Sequence, residues 1–322
     1  MPLTPSYGDG HTGAITRLYL TAERALWRLI ARTLFGERWT GASWLARILL
    51  RLPGFRNRIA RIMLGLSTQA AVIVVGIVLA AFRRGADAAR DDLTGHADLI
   101  DDSAAQRLAD QVIEALTVVH RHIPRAAEAI YRETVEQVAH DRRVTDDDSL
   151  DQLLREVLAR TARRGFTGQV DAHGRRYEFV SYAEMVVRSA VTRAEIDGYC
   201  AQLAAAGHDL FVVSDVVGSC PLCRPFEGQV LSISGRTTGT VIEESSTGRL
   251  VSATVMASLV QARERGLFHR GCRHTIRVWT PDDPSPPHAV RVPEPVREQR
   301  RAANAQQRKA RRLHRIRYAT NR

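Results

Sequence analysis

The sequence predicts a mainly α-helical protein: a helical N-terminal region, a small α+β domain with a zinc clamp, and a basic helical tail. Three observations lead there. Aromatic residues make up only 6% of the chain while Ala, Arg, Leu and Val dominate, a composition that favours helices. Apolar residues recur at helical spacing through much of residues 14–164. Between residues 165 and 281 the pattern changes to short strand-like runs, and three of the four cysteines cluster within it, between residues 219 and 274. The division expected is therefore 1–164, 165–281 and 282–322.

Taken in order, residues 1–13 are rich in Gly, Pro and Ser and are expected to lack order. The opening residues contain neither a basic nor an apolar run of the secretory kind, so no signal is expected. A first helix is expected over 14–34, where Ile15, Leu18, Leu26, Leu29 and Ile30 fall at helical spacing. Gly36 and Gly41 end it, and a short helix is expected over 44–52. After the breaker Pro53-Gly54, a long helix is expected from residue 55 or 56 towards 94–95. It contains 62–82, a run of 21 residues without charge. That length permits a membrane span. Ser67, Thr68 and Gln69 interrupt the run, leaving a strongly apolar core of only 70–82, so a buried core helix is preferred.

Asp102-Ser103 offers a cap for the next helix, whose stripe includes Leu108, Val112, Leu116, Val119, Ile123 and Ile130, with a kink expected at Pro124. His120 and His122 lie on different faces and read as half-exposed histidines rather than a ligand pair. Asp146, Asp147 and Asp148 read as the acidic start of a helix over 149–163, where carboxylates suit the helix dipole. Residues 169–180 read as a hairpin turning at His173-Gly174. Ser181 and Glu184 then form a capping box for a helix to about 206, which carries Cys200 as a buried small side chain. Strands are expected over 211–213, 229–233 and 275–280, a mobile loop over 235–249, and a helix over 252–265.

The chemistry of the chain concentrates in two short runs. One reads Ser219-Cys220-Pro221-Leu222-Cys223-Arg224, the other Phe268-His269-Arg270-Gly271-Cys272-Arg273-His274. Cys220/Cys223 and His269/Cys272 share one spacing, two ligand-type residues separated by two others, which lets a single turn grip a cation. Together they offer the N/S donors of structural zinc. The 45 residues between the half-sites exceed a small finger's spacer, so a metal here would clamp a domain. His269 and His274 compete for the fourth place, with His274 an alternative outer partner. A redox pair would need Cys220 at a helix start, whereas a strand-like run follows Pro225. A disulfide would leave one of the three clustered cysteines unpaired, and plain buried thiols are the remaining alternative.

The runs around the cysteines carry a resemblance as well. Cys220-Pro221-Leu222-Cys223-Arg224-Pro225-Phe226-Glu227-Gly228, Gly266-Leu267-Phe268-His269 and the upstream Tyr182-Ala183-Glu184-Met185 resemble the Mu-F-like group of phage minor capsid (minor head) proteins. The likeness extends loosely from about Leu18 to the tail. The sequence departs from the group at Arg270-Gly271, where Pro-Asn is common, and some members lack the cysteines. The resemblance implies a structural virion protein, not an enzyme, at the head or portal vertex and made in the host cytoplasm. It implies portal and other capsid proteins as partners, a part in head assembly or DNA packaging, and no small-molecule substrate. The rival from another class is a metal-dependent nuclease that would recruit Asp215, Glu227 and His274 beside an open metal position.

Net charge is +11, of which +9 lies in residues 291–322, leaving +2 for the rest. Behind a Pro-rich linker (281–287), 295–318 reads as a basic helix with Arg300, Arg301, Arg308, Lys309, Arg311, Arg312, Arg315 and Arg317. With little to bury it reads as a detachable tail that meets DNA without sequence preference, with docking on an acidic portal surface as the alternative.

Overall fold

The computed structural model of the chain describes residues 3, 12–93, 101–170, 174, 176–216, 219–269, 271–282 and 294–321. Its helices are α1 (Gly13–Leu34), α2 (Ala42–Leu50), α3 (Leu52–Leu93), α4 (Ser103–Ala139), α5 (Asp147–Arg164), α6 (Phe179–Ala205), α7 (Leu259–Glu264) and α8 (Glu294–Thr320). Its strands are β1 (Thr167–Val170), β2 (Arg176–Glu178), β3 (Leu210–Val213), β4 (Val230–Ser232), β5 (Gly239–Glu244), β6 (Leu250–Ser258) and β7 (Ile276–Val278). The mainly helical class with a small sheet region is as expected. The chain divides into two compact units, each gathered from separated stretches: a helical unit (Ala14–Ile73, Ile113–Glu184, Pro295–Arg322) and a sheet unit (Met1–Gly13, Val74–Val112, Met185–Glu294).

In the helical unit, α1 buries Ile15, Tyr19, Leu26, Trp27, Ile30 and Leu34 on one face. The Trp27 ring packs on Phe166 at 4.7 Å and Tyr19 on Phe179 at 4.9 Å. Phe55 stacks on Tyr131 at 4.7 Å, and the Tyr131 hydroxyl donates to the Ile48 carbonyl at 2.9 Å. His120 is buried rather than half-exposed, 2.6 Å from the Tyr19 hydroxyl. Burial, which disfavours the imidazolium, lowers its pKa to about 4. Asp146 caps α5 through the Ser149 N–H at 2.8 Å, and Asp147 takes the Trp39 N–H and Arg38, so the three aspartates serve a helix start. Pro53 sits in the first turn of α3, where its missing N–H costs nothing, so it opens the helix instead of preceding it.

The tail belongs to this unit and is not detached. Arg315, only 4% exposed, donates to both Glu178 oxygens at 3.0 Å and to the Ala162 carbonyl at 3.1 Å, with Glu23 at 3.7 Å. Arg311 donates to Glu184 at 2.7 Å and Ser181 at 3.4 Å. These two residues therefore do not act as a capping box; α6 opens earlier, at Phe179, whose N–H goes to the Phe166 carbonyl at 3.0 Å. The hairpin is formed by β1 and β2, and Gly174 holds φ +75° in the turn, a conformation that favours glycine; His173 lies outside the described residues.

The sheet unit holds five strands in the order β5-β6-β4-β3-β7, antiparallel except for the β4–β6 pair. Two expectations fail here. Residues 252–258 form a strand because Val251, Ala253, Val255 and Ala257 face inward while Ser252, Thr254 and Met256 face water, a period of two. The loop over 235–249 supplies its partner, β5, with Thr240 opposite Thr254. Helix α7 is thus only its last part, opened by a Ser258/Gln261 capping box. Tyr199, Cys200 and Leu203 of α6 join Phe211, Leu231, Ile276 and Val278 in one core. Gly85 and Gly198 let α3 and α6 cross closely, since a Cβ on either would stand 1.9 Å from the other helix's carbonyl oxygen.

Candidate metal centre

Both half-sites are built by the same local device. The Cys223 N–H donates to the Cys220 carbonyl at 3.2 Å, and the Cys272 N–H donates to the His269 carbonyl at 2.9 Å. Each closes a turn that points its first and last side chains the same way. The first turn follows β3 and runs into a short 3-10 helix (Arg224–Phe226). The second follows α7, where Gly266 at φ +101° and Gly271 at φ +83° take conformations that other residues resist. Phe268 adopts φ 58°, uncommon for a bulky side chain. Leu222 packs on Gly266, where an added Cβ would lie 3.2 Å from it, so the glycine lets the half-sites close up.

The five residues singled out from spacing meet here. Cys220 Sγ lies 2.9 Å from His269 Nε2, Cys223 Sγ 3.6 Å from Cys272 Sγ, and Cys272 Sγ 3.1 Å from His274 Nδ1. The ligand atoms of Cys220, Cys223 and His269 lie within 4.8 Å of one another, as do those of Cys223, Cys272 and His274. All four cysteines are free, and Cys200 stays buried elsewhere in the core. Two thiolates on one tetrahedral zinc stand ~3.8 Å apart, close to the Cys223–Cys272 separation. Three thiols and two imidazoles are soft donors that fit zinc.

Glu227 completes the cluster. Its Oε1 lies 2.8 Å from His274 Nε2 and accepts the Val216 N–H at 2.9 Å. A carboxylate on the far nitrogen is how metal-binding histidines are commonly oriented. Sequence reasoning named Glu227 only as a nuclease group, because its tie to His274 crosses 47 residues of chain. Asp215 makes no hydrogen bond or ion pair with the cluster among the described residues.

The electrostatics follow the burial. Cys223, buried and facing the Cys272 sulfur, has its thiol pushed up. At Cys220 burial pushes up too, but the Cys223 N–H and His269 outweigh it and bring the thiol to about 7. Cys272 is lowered because His274 overcomes burial, and His274 is raised because Cys272 and Glu227 overcome burial. Part of the set is therefore ready to ionise, which a metal requires of its thiol ligands.

The chain thus combines a two-unit, mainly helical fold carrying a small sheet with a thiol-rich site that could hold a metal ion. The sequence profile of the family Phage minor capsid protein 2 matches residues 3–319, nearly the whole chain, and the chain belongs to that family. The match supports a structural capsid role and a place in the virion. No curated protein and no solved structure matches it.

Proposed function

We propose that this capsid protein works at or near the portal vertex, where it aids head assembly or DNA packaging. Membership of the minor capsid family over residues 3–319 carries the reading; its partners are then other capsid proteins, the portal among them. Zinc, held by Cys220, Cys223, Cys272 and one of His269 and His274, fastens the end of β3 to the end of α7 and supplies folding energy rather than a catalytic step. The tail meets DNA through its outward cations Arg308, Lys309, Arg312 and Arg317, which are exposed, whereas Arg311 and Arg315 are taken up inside the helical unit. The side chains of Arg300 and Arg301 lie outside the described residues.

Two measurements test this. Mixed with purified portal protein, the chain is expected to co-elute with it, and labelled copies are expected at one vertex of each head; label spread evenly over the shell overturns the vertex reading. Metal analysis of protein made without chelators is expected to find about one zinc per chain, and its absence removes the clamp.

A further inference from the structure

The helical unit carries a second cationic surface, formed by other arginines than those exposed on the tail. Arg28 and Arg32 of α1 line a groove with Arg51 and Arg58. An adjoining groove shares Arg51 and Arg58 and adds Arg61 and Gly54. Arg28 and Arg32 stand one turn apart on α1; Arg51, just before α3, and Arg58 and Arg61, in its first turns, fall at helical spacing. All five are exposed, and neither groove has a carboxylate in its wall.

Elsewhere on this unit, several arginines are matched by acids. Arg38 pairs with Asp147, Arg56 with Glu128, Arg143 with Asp141 and Arg160 with Glu156. In the grooves only Arg51 has such a partner, Glu37, which Arg47 shares. Arg32, Arg58 and Arg61 make no ion pair among the described residues. Arg28 lies over the Tyr318 ring at 4.6 Å, which holds its guanidinium at the groove edge. Guanidinium groups remain charged at any working pH and their forks match phosphate oxygens. Gathering them without counter-charge costs repulsion that a bound polyanion relieves.

We propose that these grooves are a binding site for the phosphate backbone of double-stranded DNA, in addition to the exposed cations of the tail. The ten steps from Arg51 to Arg61 rise about 15 Å along the helix, enough to follow about four phosphates of one strand at about 3.4 Å each. Such contacts carry no base sequence.

The test uses the full chain and fluorescence anisotropy with two duplexes of unrelated sequence over a salt series. The triple variant Arg32→Ala, Arg58→Ala, Arg61→Ala is expected to lose about tenfold or more in affinity for both duplexes, with the salt slope reduced by about 3. The triple Lys variant is expected to keep most of the binding. Gly54→Glu, placed where a side chain meets nothing within 4 Å, is expected to weaken binding while leaving the helix start intact. Unchanged affinity and slope in the folded triple Ala variant overturn the proposal. So does poly-glutamate binding as tightly as DNA at equal salt and lost in the same variant, since the surface would then serve an acidic protein.

Discussion

At the scale of single residues, the cluster and the glycine crossing make opposite demands on side-chain volume and chemistry. Cys223→Ser replaces a buried thiol at the junction of both donor groups. It is expected to abolish zinc retention and lower the melting temperature by several degrees, read by metal analysis and calorimetry on one sample. His269→Ala and His274→Ala separate the two histidines: the true fourth ligand costs bound metal outright, while the outer partner costs roughly 10–100-fold in affinity. Equal retention in both single variants and in Cys223→Ser would falsify the clamp. Gly85→Ala and Gly198→Ala each thrust a methyl group at an opposing backbone carbonyl. A loss of about 1–3 kcal/mol is expected for each, seen as a lower denaturant midpoint, and a midpoint within error of wild type contradicts the close crossing.

At the scale of elements, α3 and α8 both differ from a simple helix reading. Helix α3 is long and apolar enough to cross a membrane by length and composition. Yet it buries one stripe, Ile59, Met63, Leu66, Ala70, Val74 and Val78, while Leu64 and Val72 stand 69% and 71% exposed. One buried stripe is what packing along a single face gives, and on that reading a charge on the opposite face should be tolerated. Leu64→Lys is expected to change stability by less than about 0.5 kcal/mol, whereas Val78→Ala costs about 1–3 kcal/mol. Sedimentation of the wild-type protein with membranes, released only by detergent and by Leu64→Lys, would show the span instead. For α8, Arg315→Ala removes the cation that Glu178 and the Ala162 carbonyl share. A cost of about 3 kcal/mol is expected, together with faster protease cleavage of the tail. Undiminished protection of the tail would show that it docks without this arginine.

At the scale of the whole molecule, stability should respond to pH through buried groups. Burial, against the pull of Arg315 and with a push from Glu178, raises Glu23 to about 7. Between its ordinary value of 4.5 and 7 the folded state holds a proton that the unfolded chain has released. Stability from this residue therefore falls as pH rises through that window, by up to about 3 kcal/mol. His120 works in the other direction: lowered from 6.5 to about 4, it stays neutral when the unfolded chain takes up a proton, so stability rises with pH across that range. Glu23→Gln is expected to gain stability relative to wild type at pH 8 and little at pH 4.5. A difference that does not change with pH would refute the buried-acid assignment.

Much of this protein is written in its local sequence. Helical spacing of Ile15, Leu26 and Ile30, the aspartates before Ser149 and the Gly174 turn announce their elements because each depends on neighbours a few residues away. The repeated two-residue spacing marked Cys220, Cys223, His269 and Cys272 for the same reason, and the two tight turns account for it. What the chain alone left open are choices made across long separations. Residues 252–258 read as a helix, yet they are a strand once β4 and β5 lie beside them. Ser181 and Glu184 fit a capping box until Arg311 claimed them, and a run of cations passed for a free tail until Glu178 and Glu23 buried Arg315. Periodicity records which face of an element avoids water, and so it fixes the elements. It says nothing of which distant face or charge will meet it, because that match is set by shape and desolvation in the folded chain.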